Sequence, residues 1–165
     1  MTPDNAQAFE RSMDMLDSSI KEMRRVAHNM MPEALVKFGL DTALRDFCND
    51  INKSGALHVS YQSIGFENAE PDQTTSITIF RIVQELINNT MKHAAAKDAI
   101  VQVTKSDENI TVTVEDNGKG FDPDRPTERN GLKNLNKRTE LLDGKLTIAT
   151  GQDNGTTIEL VCPIR

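Results

Sequence analysis

The most informative stretch of this chain is FRIVQELINNTMKHA, residues 80–94. With about 100° of rotation per residue, its spacing predicts a helix with two different sides. The apolar side carries Phe80, Val83, Leu86, Ile87, Met91 and Ala94. The polar side spans an arc of about 140° at that rotation and carries Arg81, Glu85, Asn88, Asn89, Lys92 and His93. Adjacent asparagines are poor interior helix residues, by roughly half a kcal/mol each relative to alanine. A functional polar face is therefore favoured, and an ordinary solvated face with i,i+4 pairs is the alternative.

A second informative stretch is DNGKGF, residues 116–121, which follows an alternating segment. Asp116 has the same parity as Ile110, Val112 and Val114, so it is expected to point to the buried side where the strand ends. A buried ionised carboxylate needs a hydrogen-bond partner, and two closely spaced glycines allow a backbone to approach a ligand. The pattern favours a binding site, and an Asx-type turn residue is the alternative.

The charge balance reverses next to this stretch. Residues 118–130 are predicted to be a long loop, followed by a helix that begins at Gly131. From Lys119 to Arg138 there are six basic and three acidic residues, a local sum of +3 in a chain of net charge −6. Free backbone N–H groups at a helix start at Gly131 would bind an anion. A phosphate-bearing ligand is therefore indicated, with a solvated, incidentally charged lid as the alternative. Neither GxxxxGK[ST] nor GxGxxG occurs.

The first thirty residues carry a heptad seam. Its apolar residues are spaced alternately by four and three: Phe9, Met13, Leu16, Ile20, Met23, Ala27 and Met30. This spacing predicts a helix that buries its seam against a partner helix in a bundle or against the body of the chain, and the partner is favoured because the 3.5-residue repeat holds for about three heptads.

Helices and strands alternate in the remaining chain. Helices are predicted at 40–53, 73–95 and 131–142, and strands at 57–62, 99–105, 110–116, 145–149 and 156–162. Intermixed hairpins and helices are typical of an α+β fold in which helices cover one face of a mostly antiparallel sheet.

Composition narrows the function classes. The chain has 165 residues, an acidic excess and a sequence pI near 5.1, which argues against a general nucleic-acid or anionic-membrane binder. Cys48 and Cys162 fit free thiols in a reducing compartment. No apolar run approaches the ~18 residues of a membrane span, and no signal peptide is evident. A cytoplasmic location is expected, with any membrane anchor supplied by a longer parent protein.

Four motifs together resemble the nucleotide-binding boxes of sensor histidine kinases. Their asparagine box is similar to residues 81–94, their first glycine box to DNGKGFD at 116–122, their second to GLKNL at 131–135, and their closing box to GTT at 155–157. The superfamily is that of gyrase, heat-shock chaperones, histidine kinases and MutL. Residues 31–40, MPEALVKFGL, also resemble the junction after the second dimerisation helix in the nitrate-sensor-like subgroup.

The resemblance implies three units. Residues 1–31 would be the second helix of a dimerisation and phosphotransfer bundle, 32–55 a connector with a short helix, and 56–165 an ATP-binding catalytic domain. The implied fold of that domain is a two-layer α/β sandwich of the Bergerat type. The implied activity is transfer of the ATP γ-phosphate to a histidine, for relay to a response-regulator aspartate.

The resemblance also implies residue roles. Asp116 would accept the exocyclic amine of adenine, with Thr156 close to the same base edge. Asn89 would bind Mg²⁺ through its side-chain oxygen, because Mg²⁺ is a hard ion that keeps phosphate oxygens and waters as its other ligands. Lys92 would meet phosphate, and His93 would pack against the nucleotide.

The remaining implied roles concern the lid and the reaction. Gly118 and Gly120 would let the lid approach the nucleotide, and Gly131 and Leu132 would place the N-terminus of the following helix near the phosphates. Glu85 would orient or deprotonate the attacking group, although in phosphoryl transfer positioning and charge neutralisation contribute most.

The phosphate acceptor is expected outside this chain. The family acceptor is followed by Asp or Glu on the first dimerisation helix, whereas His28 is followed by Asn29 and falls on the second. His58 falls on a strand. The parent protein is expected to form a homodimer through the N-terminal helix and to meet the receiver domain of a response regulator. The alternatives are a serine kinase of the anti-sigma type and a nucleotide-binding regulatory module without phosphotransfer.

Overall fold

The computed structural model describes residues 2–30, 33–67, 69–93, 95–120, 126–150 and 155–164, and for 24–30, 93 and 126–130 it describes the backbone alone. The elements in chain order are α1 (Pro3–Met30), α2 (Glu33–Phe38), α3 (Leu40–Ser54), β1 (His58–Ile64), α4 (Gln73–His93), β2 (Asp98–Lys105), β3 (Asn109–Asp116), α5 (Pro126–Leu141), β4 (Lys145–Thr150) and β5 (Thr156–Pro163).

The five strands form one sheet in the order β1-β2-β3-β5-β4. β1 pairs with β2 in parallel, through the α4 crossover, and the other three pairs are antiparallel. The predicted α+β class with a mostly antiparallel sheet is confirmed. The register places Asp116 of β3 between Ala99 of β2 and Thr156 of β5, so the end of the central strand β3 is flanked on both sides.

The core lies between one face of the sheet and the helices. Val101, Val103, Val112 and Val114 are buried, whereas the alternate residues of β3, such as Thr113, are only half-buried. α3, α4 and α5 pack against β1, β3 and β4 respectively. Each large apolar side chain that this two-layer sandwich removes from water contributes about 1.5–3 kcal/mol.

Two helices differ from the sequence-based prediction. α5 begins at Pro126 instead of Gly131, because the fixed φ of proline suits the first position of a helix. Residues 126–130 therefore belong to the helix and not to the loop. α2 is an additional short helix, in which Leu35 is buried and Phe38 is 65% exposed.

A side chain from another part of the chain caps the connector. Gly39 precedes α3 with φ +89° and has no side chain to cap the helix. Oε2 of Glu70 instead accepts a hydrogen bond from the Leu40 N–H at 3.1 Å. A Cβ atom at Gly39 would lie 2.5 Å from Cδ of Glu70. Only glycine leaves room for this carboxylate and adopts the required left-handed backbone.

The long helix α1 keeps its apolar seam on the surface. The described seam residues are between 43% and 72% exposed: Phe9, Met13, Leu16, Ile20 and Met23. In the described parts of the chain, no helix has the length and apolarity needed to cross a membrane.

Candidate functional site

Helix α4 presents the predicted polar face to a partly covered surface. Its apolar residues Ile82, Val83 and Ile87 are fully buried, while Glu85 and Asn89 are half-buried and Lys92 is exposed. A simple solvated helix face would leave all of its polar residues exposed. The predicted role of His93 concerns a side chain outside the described residues.

Glu85 is held by an ion pair with α5. Nη1 of Arg138 donates to Oε2 of Glu85 at 2.8 Å and also lies 3.3 Å from the carbonyl oxygen of Arg81. Burial raises the pKa of Glu85, and the Arg138 guanidinium opposes that rise. The carboxylate is only 20% exposed, so it is a partly desolvated acceptor whose ionised form is supported by one cation.

The second contact between α4 and α5 involves Asn89. A Cβ atom at Gly131 would lie 3.5 Å from Nδ2 of Asn89, so the backbone of α5 runs directly beside this amide. Gly131 lies inside α5, and the N–H groups without intrahelical acceptors belong to residues 127–129, since Pro126 has no N–H. The expectation that the helix begins at Gly131 is therefore wrong, and any anion held by the helix start would meet the preceding turn. Leu132 packs against the core.

The carboxylate of Asp116 lies between the sheet and α4, as its parity predicted. Its Oδ1 accepts a hydrogen bond from the Gly118 N–H at 2.9 Å, and its Oδ2 is 3.5 Å from the Thr90 hydroxyl oxygen. The Thr90 hydroxyl is also 3.0 Å from the Leu86 carbonyl, and its single proton can be donated to only one of these acceptors at a time. Gly118 is buried, and Gly120 has φ +85°.

The start of β5 completes this end of the site. Thr156 is buried opposite Asp116 in the β3–β5 ladder, and its hydroxyl is 3.3 Å from that of Thr150. The preceding Gly155 has φ +73°, and a Cβ there would lie 2.0 Å from the Asp116 carbonyl oxygen. A side chain at Gly155 would therefore displace the strand end that carries Asp116.

The structure thus joins residues from four elements into one polar surface. Glu85 and Asn89 contact α5, and Thr90, one residue further along α4, connects to Asp116 and so to Thr156. Thr90 and Arg138 were not among the sequence-predicted site residues. Arg138 lay in the segment of reversed charge, but a threonine between the two sides of a helix gives no signal in a sequence pattern.

No group of three or more His, Cys, Asp or Glu side chains that could hold a metal ion occurs among the described residues. An amide oxygen such as that of Asn89 is a hard ligand, of the kind used by Mg²⁺.

Residues 74–165 match the family model described as "Histidine kinase-, DNA gyrase B-, and HSP90-like ATPase". The match begins one residue into α4, contains every residue of the polar surface, and covers more than half of the chain.

Individual proteins agree with the family match. The chain is 34% identical over 151 residues to the signal transduction histidine-protein kinase/phosphatase DegS of Brevibacillus brevis, covering 91% of this chain and 39% of DegS. It is 31% identical over 164 residues to the oxygen sensor histidine kinase NreB of Staphylococcus carnosus (strain TM300), covering 98% of this chain and 46% of NreB. The chain thus spans less than half the length of these relatives.

A solved structure supports the same relationship. The histidine kinase domain of the blue-light activated histidine kinase from Erythrobacter litoralis EL346 aligns with 74% of this chain and 59% of its own, with 27% identity and a TM-score of 0.58. The chain therefore belongs to the family of histidine kinase-, DNA gyrase B- and HSP90-like ATPases, within which it is a histidine kinase ATP-binding region.

Proposed function

We propose that this chain catalyses transfer of the ATP γ-phosphate to a histidine on a dimerisation helix upstream of residue 1. The phosphate would then pass to an aspartate in the receiver domain of a response regulator. The observation that supports the proposal is the joined polar surface of α4, α5, β3 and β5, which contains Glu85, Asn89 and Asp116.

Asp116 would bind the base. Oδ1 already accepts from Gly118, but an ionised carboxylate has about four acceptor positions, so it can also accept the exocyclic amine of adenine. Thr156, directly opposite in the ladder, would contribute to the same base edge. Gly118 and Gly120 would allow the segment after β3 to approach the nucleotide.

Asn89 would hold Mg²⁺. Asn89 fits this ion because its amide oxygen is a hard ligand and Mg²⁺ usually keeps phosphate oxygens and waters as its other ligands. The metal would neutralise charge on the phosphates. Lys92 and Lys133, both exposed, would add positive charge, and His93 would pack against the nucleotide.

Glu85 would act on the acceptor histidine. The imidazole nitrogen attacks the γ-phosphorus, a nitrogen–phosphorus bond forms, the bond to the β,γ-bridging oxygen breaks and ADP leaves. Glu85 orients the imidazole or takes its ring proton. Burial raises the pKa of Glu85 and so makes the carboxylate a better proton acceptor, while Arg138 favours its ionised form.

The N-terminal helix would join two copies of the parent protein through its exposed seam. His28, whose side chain is outside the described residues, is not proposed as the acceptor. The family acceptor would lie on the other dimerisation helix, where the same bundle brings it to the nucleotide.

A titration with a fluorescent ATP analogue, with and without Mg²⁺, tests the nucleotide site. Asp116→Asn should weaken binding about 10- to 100-fold, because it replaces an acceptor that is charged and partly desolvated. Asn89→Ala should remove most of the Mg²⁺ dependence. The matched controls are Asp107→Asn in the β2–β3 turn and Asn49→Ala on α3, both exposed. Binding by both site variants that equals the parent's would refute the nucleotide assignment.

Incubation of a longer form of the protein with radiolabelled ATP tests the transfer. The expected product is an acid-labile phosphate on a histidine outside residues 1–165. Phosphate on His28 would overturn the proposed place of the acceptor, and phosphate on a partner's serine would favour the anti-sigma type of kinase.

A further inference from the structure

Asn117 is the one residue of the DNG sequence at 116–118 to which no role has been assigned. It follows β3 directly, between the carboxylate of Asp116 and the buried Gly118. Its side chain is exposed, so an ordinary turn residue could replace it unless its contacts matter.

The side-chain amide and the backbone N–H of Asn117 contact the start of β2 and the residue before it. Its Oδ1 accepts from the N–H groups of Lys97 and Asp98, at 3.0 Å each. Its Nδ2 donates to Oδ2 of Asp98 at 3.1 Å, and its backbone N–H donates to the Asp98 carbonyl at 3.2 Å. Four hydrogen bonds therefore fasten one residue to a neighbouring strand at the point where regular pairing of β2 and β3 ends.

These contacts hold Asp116 from the side opposite to β5. On the β5 side, Gly155 packs against the carbonyl of Asp116 and the Cα of Asn117. On the β2 side, the regular ladder ends at the pair of Ala99 and Asp116. The Asn117 bridge holds the chain after β3 against β2 beyond that pair. The next residues include two glycines, which have the greatest backbone freedom, so the direction of the Asp116 carboxylate and of the Gly118 N–H depends on this attachment.

We propose that Asn117 is a positioning residue for nucleotide selectivity, and that its bridge to Lys97 and Asp98 holds Asp116 in the orientation that distinguishes an adenine amine from a carbonyl. This inference rests on the proposed nucleotide site. It adds that selectivity for the base is set by an amide that does not contact the nucleotide.

The chain supplies a matched control. Asn52 of α3 makes a similar amide bridge, with Oδ1 accepting from the Val59 N–H at 2.6 Å and Nδ2 donating to the Val59 carbonyl at 2.9 Å. It fastens the end of a helix to β1 and makes no contact with Asp116. Asn52→Ala therefore removes the same kind of bridge without affecting the base end of the site.

The experiment compares the affinities of ATP and inosine triphosphate, which has a carbonyl in place of the exocyclic amine, by displacement of a fluorescent nucleotide. The parent should prefer ATP. Asn117→Ala should weaken ATP binding about tenfold, as expected when a recognition group loses its support, and should leave inosine triphosphate affinity within about threefold. The ratio of the two affinities should then approach that of Asp116→Asn, while Asn52→Ala keeps the parent's ratio.

A reciprocal exchange separates positioning from folding. Asn117→Asp places two carboxylates together, at the 3.1 Å separation of the present bond, and should lower the ATP preference. Adding Asp98→Asn places the amide donor at position 98 and the carboxylate acceptor at position 117. This reversed hydrogen bond should recover the preference for ATP. The inference is wrong if Asn117→Ala melts like the parent and keeps the parent's ratio of ATP to inosine triphosphate affinity. If Asn117→Ala fails to fold, the inference is wrong when neither Asn117→Asp nor the added Asp98→Asn changes that ratio. A parent without ATP preference would instead contradict the Asp116–adenine contact and remove the basis of the inference with it.

Discussion

Helices α1 and α4 have similar amphipathic patterns and opposite surroundings. In α4, Ile82 and Ile87 are fully buried. In α1, Leu16 is 56% exposed and Ile20 is 43% exposed. An apolar stripe in a sequence therefore identifies the apolar side of a helix, but it does not decide which surface covers that side. α4 is covered by the sheet of its own chain, whereas the described seam residues of α1 are exposed, and a second copy is the partner proposed for them.

The two helices should differ most in what they contribute to the stability of the single chain. Ile87→Ala should lower the free energy of unfolding by about 2–5 kcal/mol, because it opens a cavity in a closed core. Leu16→Ala should change it by less than about 0.5 kcal/mol, because the side chain is already in water. Urea denaturation at low protein concentration measures both values. Equal decreases in the free energy of unfolding for the two variants would show that α1 packs on its own chain. The proposed difference between α1 and α4 would then be wrong.

The same contrast can be sharpened by varying protein concentration. If the seam of α1 pairs with a second copy, the stability of the parent rises with concentration by mass action. Leu16→Glu should abolish that rise, since a carboxylate in the seam would be buried in the pair. A parent whose stability is independent of concentration, and which sediments as a monomer, would contradict pairing through α1 alone.

A smaller effect on stability is expected at the start of α3, which is capped by Glu70 from the loop before α4. Glu70→Ala removes the acceptor of the Leu40 N–H and should destabilise the chain by about 0.5–2 kcal/mol, the usual range for a lost helix cap. Glu67→Ala, an exposed residue of the same loop, is the control and should be nearly neutral. Similar values for the two variants would mean that the cap does not contribute.

The smallest effect concerns the polar side of α4 and depends on pH. The raised pKa of Glu85 means that the folded chain keeps this proton to a higher pH than the unfolded chain does. Its contribution to the free energy of unfolding therefore falls as pH rises from the ordinary value of 4.5 through the raised pKa. Glu85→Gln does not titrate, so its stability relative to the parent should increase across that interval and stay constant above it. Arg138→Ala should move the interval to higher pH, and an unchanged difference at every pH would refute the assignment.

Much of the fold was predictable because its signals are local. The two-residue alternation of side chains gave β2 and β3 to within one residue, and α4 was predicted to begin at Gln73, where it does begin. The parity of Ile110, Val112 and Val114 also placed Asp116 on the helix side of the sheet. A prediction of this kind needs only the geometry of one strand.

Other features could not be predicted because they depend on distant residues. The parallel pairing of β1 with β2 and the position of β5 between β3 and β4 follow from how the elements pack. The sequence misplaces the start of α5, because a glycine often lies at a helix terminus, whereas Gly131 lies inside α5 and allows close contact with Asn89.

The sequence by itself determined most of the elements, the apolar side of the predicted helices and strands, and the order of four motifs, since these follow from covalent geometry and side-chain chemistry over a few neighbouring residues. Only the tertiary structure decided the partners: Arg138 for Glu85, 53 residues apart, Glu70 for Leu40, 30 apart, and Asp98 for Asn117, 19 apart. The physical reason is that a hydrogen bond or an ion pair requires two groups within about 3 Å. For residues this far apart in the chain, only strand pairing and the packing of helices and loops bring them that close.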